Sequence, residues 1–204
     1  MCFYFKASKK VLEMLNEKYK NLEDELRTEF TAHDHDYNGF QHPSTPVVTN
    51  AEPKRVQLMN WGLIPYWAKD RSIQHNTLNA KMETLAEKPS FRNVLSNRCL
   101  VFADGFYEWQ WLDSAGKQKQ KYLITLPDER PFAFAGLWSR WSDPATGLPL
   151  DTYTLITRPA DELMSRIHNS KLRMPWILQP GDEQAYLQGE AVPDTERRLV
   201  AKAI

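Results

Sequence analysis

The stretch RCLVFADGFYEWQW, residues 98–111, decides how the rest of the chain is read. After Arg98, residues 99–103 are an apolar run of strand length that includes Val101 and Phe102. Asp104–Gly105 then reads as a turn. The chain leaves that turn on Phe106-Tyr107-Glu108-Trp109, a second strand-like run. Similar runs recur on both sides: RVQLMNWGL (55–63), KYLITL (121–126), PFAFAGLW (131–138) and DTYTLIT (151–157). SAGK (114–117) and DPATGLP (143–149) separate neighbouring runs and read as hairpin turns.

Outside the strand-rich region the pattern changes. Val11, Leu12, Leu15, Tyr19, Leu22, Leu26 and Phe30 recur at spacings of three and four, which predicts one amphipathic helix over 7–30. Residues 31–53, punctuated by Gly39, Pro43 and Pro46, read as a loop. Shorter helices fit 90–97, 161–168 and 182–188, with Asp161 and Asp182 as N-caps. There is no repeat and no linker. The expected fold class is α+β: a single domain over 1–204 with a mainly antiparallel, barrel-like sheet core flanked by short helices and a long N-terminal helix.

The 204 residues are 42% hydrophobic, and 26 basic side chains balance 26 acidic ones. Zero net charge argues against a bulk polyelectrolyte binder but leaves room for a local basic cleft. No run reaches the roughly 18–20 apolar residues of a membrane span, and the charged N-terminal stretch is no signal peptide. Two cysteines make no disulfide framework, so a reducing, cytoplasmic setting is expected. Five histidines show no zinc spacing. HDHD (33–36) could hold an adventitious metal but reads more readily as a solvated loop, and neither a metal nor a cofactor is expected.

Five places could carry chemistry. The first is Cys2. Processing commonly removes Met1 when residue 2 is small. The exposed terminus would then hold an α-amine (pKa about 7.7–8.0) two carbons from a thiol (about 8.5). Such a 1,2-aminothiol captures aldehydes as an imine and then a thiazolidine. It could equally act as an N-terminal nucleophile on an acyl group, or be an incidental thiol. The second is WGLIPYW (61–67), where Trp61 suits a core and Trp67, before AKDR, suits stacking on an unpaired base. The third is LNAKMET (78–84), where Asn79 can donate and accept and Lys81 can meet a phosphate. In the fourth, Glu108 alternates with Tyr107 and Trp109. If it faces an apolar interior, its pKa rises and it becomes a proton shuttle; if it faces solvent it is an ordinary strand residue. Cys99 sits inside an apolar run and reads as buried. The fifth is RIHNSKLRMPWIL (166–178), where His168 is flanked by Arg166, Lys171 and Arg173, a setting for acid–base work beside an anion.

Met-Cys at the start, the proline loop at 43–46, WGLIPYW, NAKMET, RCLVFADGFYEW, ITRPAD (156–161) and the His168…Arg173-Met-Pro segment occur in this order. Together they resemble the SOS-response-associated peptidase (SRAP) family over residues 1–178. The resemblance implies the SRAP fold and a protein that senses abasic sites in single-stranded DNA. It implies autoproteolytic loss of Met1 and a thiazolidine crosslink through Cys2, with lyase-like chemistry in prospect. By the same resemblance Cys2, Asn79, Glu108 and His168 are catalytic. Asn79 positions the sugar or amine, Glu108 shuttles protons, and His168 assists ring opening and reversal. Pro43, Trp67, Lys81, Thr157, Lys171 and Arg173 line the DNA path. The implied partner is single-stranded DNA containing abasic sites, bound by a monomer with no membrane partner, in the cytoplasm and on the nucleoid after damage.

Three departures stand out. Phe3 and Tyr4 replace the usual Gly-Arg, Lys81 replaces an arginine, and HNSKLRMP is longer than the usual His-Asp-Arg-Met-Pro, so that Lys171 can share the role of Arg173. From the residues alone, a cysteine-type peptidase acting in trans and a non-covalent single-strand binder stay open beside the crosslinking enzyme.

Overall fold

In the computed structural model, which describes residues 2–19, 35–195 and 197–204, the stretch 98–111 forms two strands that belong to different sheets. β1 (Tyr4–Ala7) precedes helix α1 (Lys9–Lys18). Then follow β2 (His35–Asn38), β3 (Ser44–Thr49), β4 (Val56–Trp61) and the short β5 (Asn79–Lys81). β6 (Arg98–Ala103) and β7 (Gly105–Trp111) are separated by Asp104 alone. β8 (Lys119–Thr125), β9 (Phe132–Ser142) and β10 (Pro149–Pro159) come next. Helix α2 (Glu162–Ile167), β11 (Arg173–Pro175), helix α3 (Asp182–Leu187) and β12 (Val200–Ala203) complete the order.

One sheet runs β10–β4–β3–β6–β9 and closes on itself, because β9 also pairs with β10 over seven residues. The result is a five-stranded barrel, a closure that removes exposed edges. Closure needs a close approach at Gly136, where a Cβ would lie 2.7 Å from the Thr154 carbonyl and 2.9 Å from the Cys99 sulfur. The second sheet runs β12–β8–β7–β1–β2, all antiparallel. Phe5 of β1 locks the sheets together. It is fully buried, with ring centroids 5.1 Å from Trp61 and 5.9 Å from Phe134, both on barrel strands. Phe134 in turn meets Phe106 of β7 at 6.1 Å. Aromatic pairs at these separations add to the burial of their large apolar areas.

Asp104 performs the switch between sheets. Its carboxylate accepts the Ser8 amide at 3.1 Å and the Ser8 hydroxyl. Ser8 caps α1 by accepting the Lys10 amide at 3.2 Å. One side chain therefore ties the start of the first helix to the joint between β6 and β7.

The α+β class with a barrel-like, mainly antiparallel core agrees with the sequence reading. Two parallel pairings, β10 with β4 and β10 with β5, are the exceptions. Both predicted hairpin turns connect neighbouring strands, β7 to β8 and β9 to β10. Several local expectations need correction. The helix starts at Lys9, because Tyr4–Ala7 is recruited as a strand between β2 and β7. Residues 20–34 of the predicted helix and loop lie outside the described residues. The remainder of the predicted loop holds β2 and β3, including Pro46 inside a strand. Residues 90–97 form successive turns in place of a helix. Asp161 caps α2 by accepting the Met164 amide at 2.7 Å, but the N-cap of α3 is Gly181 and not Asp182.

Candidate active site

β10 is the spine of the site. It is long enough to pair with β4 through Thr152 and Tyr153 and with β5 through Leu155, Ile156 and Thr157. β11 joins on its other side, with Thr157 opposite Pro175 and Pro159 opposite Arg173. The pairings with β4 and β5 bring to β10 segments that lie far earlier in the chain, while β11 follows it closely.

Asn79 opens β5, and its amide nitrogen donates to the Cys2 carbonyl at 2.8 Å. The bond fixes the N-terminal segment across the end of the barrel. Asn79 Oδ1 is buried and accepts no hydrogen bond among the described residues. Cys2 is fully buried, and its sulfur lies 3.6 Å from the Tyr4 carbonyl. Burial drives the thiol pKa strongly upward, and the nearby Glu108 carboxylate pushes it the same way, so the group is a neutral thiol at physiological pH.

Glu108 is buried on the face of β7 that turns toward the interior, with Phe106. Desolvation raises its pKa from 4.5 to about 7. Protonated and ionised forms are then both populated near neutrality, as a proton shuttle requires. His168, the C-cap of α2, approaches it with Nδ1 3.7 Å from Glu108 Oε1. The same Nδ1 lies 2.7 Å from the Arg173 carbonyl. A carbonyl only accepts, so Nδ1 carries the hydrogen and Nε2 of the neutral ring presents a lone pair. Burial lowers the His168 pKa from 6.5 to about 4, which keeps the ring neutral.

Arg173 is 9% exposed and firmly held. It grips Glu83 with two nitrogens at 2.5 and 2.9 Å and donates to the Thr157 carbonyl at 2.6 Å. The Thr157 hydroxyl lies a further 3.3 Å from the same guanidinium and donates to the Ala80 carbonyl at 3.4 Å. This charge-assisted fork holds the Glu83 carboxyl below its usual range. Two of the residues assigned to the DNA path thus lie in the wall of the site, with the Arg173 fork already closed on a carboxylate.

The remaining sequence candidates lie at the surface or at half-buried positions. Trp67 is 46% exposed beside exposed Tyr66, in the bend that follows Gly62. Lys81 and Lys171 are exposed, Lys81 at the end of β5 and Lys171 in the turn between α2 and β11. Pro43 is half-buried before β3, and its carbonyl accepts the Trp61 amide at 3.0 Å. Trp61 is core, with its indole N–H donating to the Leu78 carbonyl at 2.8 Å. Cys99 is fully buried in the barrel. In HDHD, His35 stacks on Tyr37 and Asp36 accepts the Tyr107 hydroxyl at 2.7 Å; residues 33 and 34 lie outside the described residues.

Glu83 is the site component that sequence reading left without a role. Its only signal was position: a carboxylate two residues beyond Lys81, in a short segment dense with polar groups.

A family profile described as SOS response associated peptidase (SRAP) matches residues 1–203. The abasic site processing protein YoqW of Bacillus subtilis is 46% identical over 142 residues, covering 69% of this chain and 61% of that protein. The abasic site processing protein HMCES of Gallus gallus is 39% identical, covering 78% of this chain and 56% of that protein. The chain therefore spans about three fifths or less of the length of these relatives. A crystal structure of a Bacteroides thetaiotaomicron protein superposes with a TM-score of 0.86 at 32% identity, covering all of this chain and 92% of that one. One from Bordetella bronchiseptica gives 0.76 at 25%, covering 100% and 99%. The constellation of Cys2, Asn79, Glu108 and His168 thus sits on a fold shared with solved structures, and the chain belongs to the SOS response associated peptidase (SRAP) family.

Proposed function

We propose that this protein captures abasic sites in single-stranded DNA as a covalent thiazolidine on Cys2, after Met1 has been removed. The observation that carries the reading is a buried cysteine at position 2, anchored by Asn79 beside a carboxyl whose pKa sits near 7. The relatives' name, abasic site processing protein, supplies the substrate.

The chemistry balances without a cofactor. Hydrolysis of the Met1–Cys2 peptide consumes one water and frees the α-amine. The amine adds to the C1′ aldehyde of the open-chain abasic sugar to give a carbinolamine. Loss of one water then yields the imine, with protonated Glu108 donating to the departing hydroxyl. The thiol adds across the C=N bond, forming C–S, and its proton passes to nitrogen. Because burial keeps the thiol protonated, a base must carry that proton, and ionised Glu108 is the acceptor at hand. Asn79 orients the Cys2 carbonyl and hence the amine. His168 Nε2 offers a lone pair for the sugar hydroxyl during ring opening and for reversal. Reversible DNA binding is weak and salt-sensitive, with Lys81 and Lys171 as phosphate contacts and Trp67 as a stacking platform; the covalent bond supplies persistence.

A denaturing gel tests this. Untagged protein is mixed with a single-stranded oligonucleotide carrying one abasic site, beside an intact control, and intact-mass spectrometry reports whether Met1 is gone. A band that survives boiling in detergent, and that Cys2→Ala abolishes, is expected. No band from protein with a free Cys2 overturns the proposal. Cleavage of generic peptides in its place would transfer the reading to a peptidase acting in trans.

A further inference from the structure

The strand that carries Glu108 also leads out of the site. Residues that alternate with Glu108 on β7 point to the opposite face of the five-stranded sheet. Across that face, Trp109 lies opposite Lys121 and Trp111 opposite Lys119 in the β7–β8 register. The Lys119 ammonium sits 5.4 Å from the Trp111 ring centroid, and that of Lys121 sits 4.1 Å from Tyr107 and 5.6 Å from Trp109. Tyr4, two residues from Cys2, packs edge-on against Trp109 at 5.0 Å. Phe40, 48% exposed, extends the aromatic row past Tyr4. Lys6 and Lys202 occupy the same face, by their places opposite Gly105 and Leu123.

Four lysines and a row of aromatic rings therefore cover one sheet face. Asp36 is hydrogen-bonded to Tyr107 at the β2 edge, and Glu129, paired with Lys10, lies near Lys6 and Lys202. Lys119 and Lys121 take part in no ion pair among the described residues; their charges rest on aromatic faces and remain available to an anion. A single nucleic-acid strand presents this pairing of chemistries, with stackable bases and one phosphate per nucleotide. The face is continuous with the candidate site through Tyr4 and Trp109.

We infer that the outer face of the β12–β8–β7–β1–β2 sheet is a docking surface for the unpaired DNA flanking the captured nucleotide, with Trp111 and Tyr4 stacking on bases and Lys119 and Lys121 holding phosphates. This inference rests on the abasic-site reading for the identity of the strand, but its physical content is separate from the crosslink.

The test is fluorescence anisotropy with an intact single-stranded oligonucleotide of about 20 nucleotides, alongside the wild-type crosslinking gel. Lys119→Ala/Lys121→Ala should weaken binding about tenfold at low salt. It should flatten the plot of log affinity against log salt by about 1.4, the contribution of two phosphate contacts on a single strand. Trp111→Ala should weaken binding about tenfold with little change in that slope. Lys119→Arg/Lys121→Arg should restore the wild-type slope. Lys54→Ala/Lys88→Ala, which removes the same charge from exposed positions elsewhere, should bind as wild type. Unchanged affinity in the sheet variants, with wild-type crosslinking intact, overturns the docking surface and leaves the capture chemistry standing. Equal losses in the Lys54/Lys88 control also overturn it, since net charge alone would explain them. Failure of wild type to crosslink, with sheet-dependent binding retained, overturns the capture reading instead.

Discussion

Replacing Glu108 by glutamine should stabilise the protein at alkaline pH relative to acid pH. The folded-state pKa of about 7 lies above the ordinary 4.5. A raised carboxyl pKa means that the fold favours the protonated form. The stability this supplies is fully present below the unfolded pKa of 4.5 and is lost as the pH rises through 7. Between pH 5 and pH 8 the wild type should lose about 2.5 kcal/mol through this one group, from the two pKa values and about 1.36 kcal/mol per pH unit. Glutamine does not titrate and loses nothing. His168 has the opposite sign: its depressed pKa supplies stability above 6.5 that is lost as the pH falls toward 4. It is present in both proteins, so its effect cancels in the comparison. Urea unfolding of both proteins at pH 5 and pH 8 gives four free energies and one double difference, which removes any pH-independent cost of the amide. With an m-value of about 2–3 kcal/mol per molar, the relative midpoint should move by about 1 M. A double difference below about 0.5 kcal/mol would mean that Glu108 titrates as an exposed carboxylate, and the proton-shuttle role would go with it.

The same Glu108→Gln protein should crosslink abasic DNA about 10²–10⁴-fold more slowly in a single-turnover gel assay; a normal rate removes Glu108 from the mechanism. Cys2→Ser should give no boiling-stable adduct, while its free amine should still form an imine trapped by borohydride; a stable adduct without the thiol would disprove the thiazolidine. His168→Ala should slow crosslink reversal; an unchanged reversal rate would make His168 structural. Arg173→Met should destabilise the protein by about 2–4 kcal/mol in urea unfolding, since the Thr157 carbonyl and both Glu83 carboxylate oxygens lose charge-assisted bonds. A loss of DNA affinity with unchanged stability would make Arg173 a phosphate contact after all.

Elements whose signals are local were legible in the chain before it folded. Runs such as 98–103 and 151–157 have the length and the apolar content of strands. The turns SAGK and DPATGLP join neighbouring strands, and Asp161 caps its helix within three residues. Position alone marked Cys2 as a candidate, since the reactivity of a 1,2-aminothiol depends on two adjacent groups and not on a fold, but it left the incidental thiol open.

Tertiary structure decided whatever depends on distant partners. Tyr4–Ala7 carries too few residues for a period, and it becomes a strand only because β2 and β7 supply backbone partners on either side. Alternation put Glu108 opposite Trp109 but could not say which face is covered. The packing of the second sheet against the barrel buries the Glu108 side, and that burial raises the pKa of an ordinary carboxylate. His168 acquires its tautomer from the Arg173 carbonyl, and Arg173 is bound by a glutamate 90 residues earlier in the chain. Local propensity records how a segment prefers to bend. Desolvation and hydrogen-bond partners are set by segments far away along the chain, and only the folded arrangement brings them within reach.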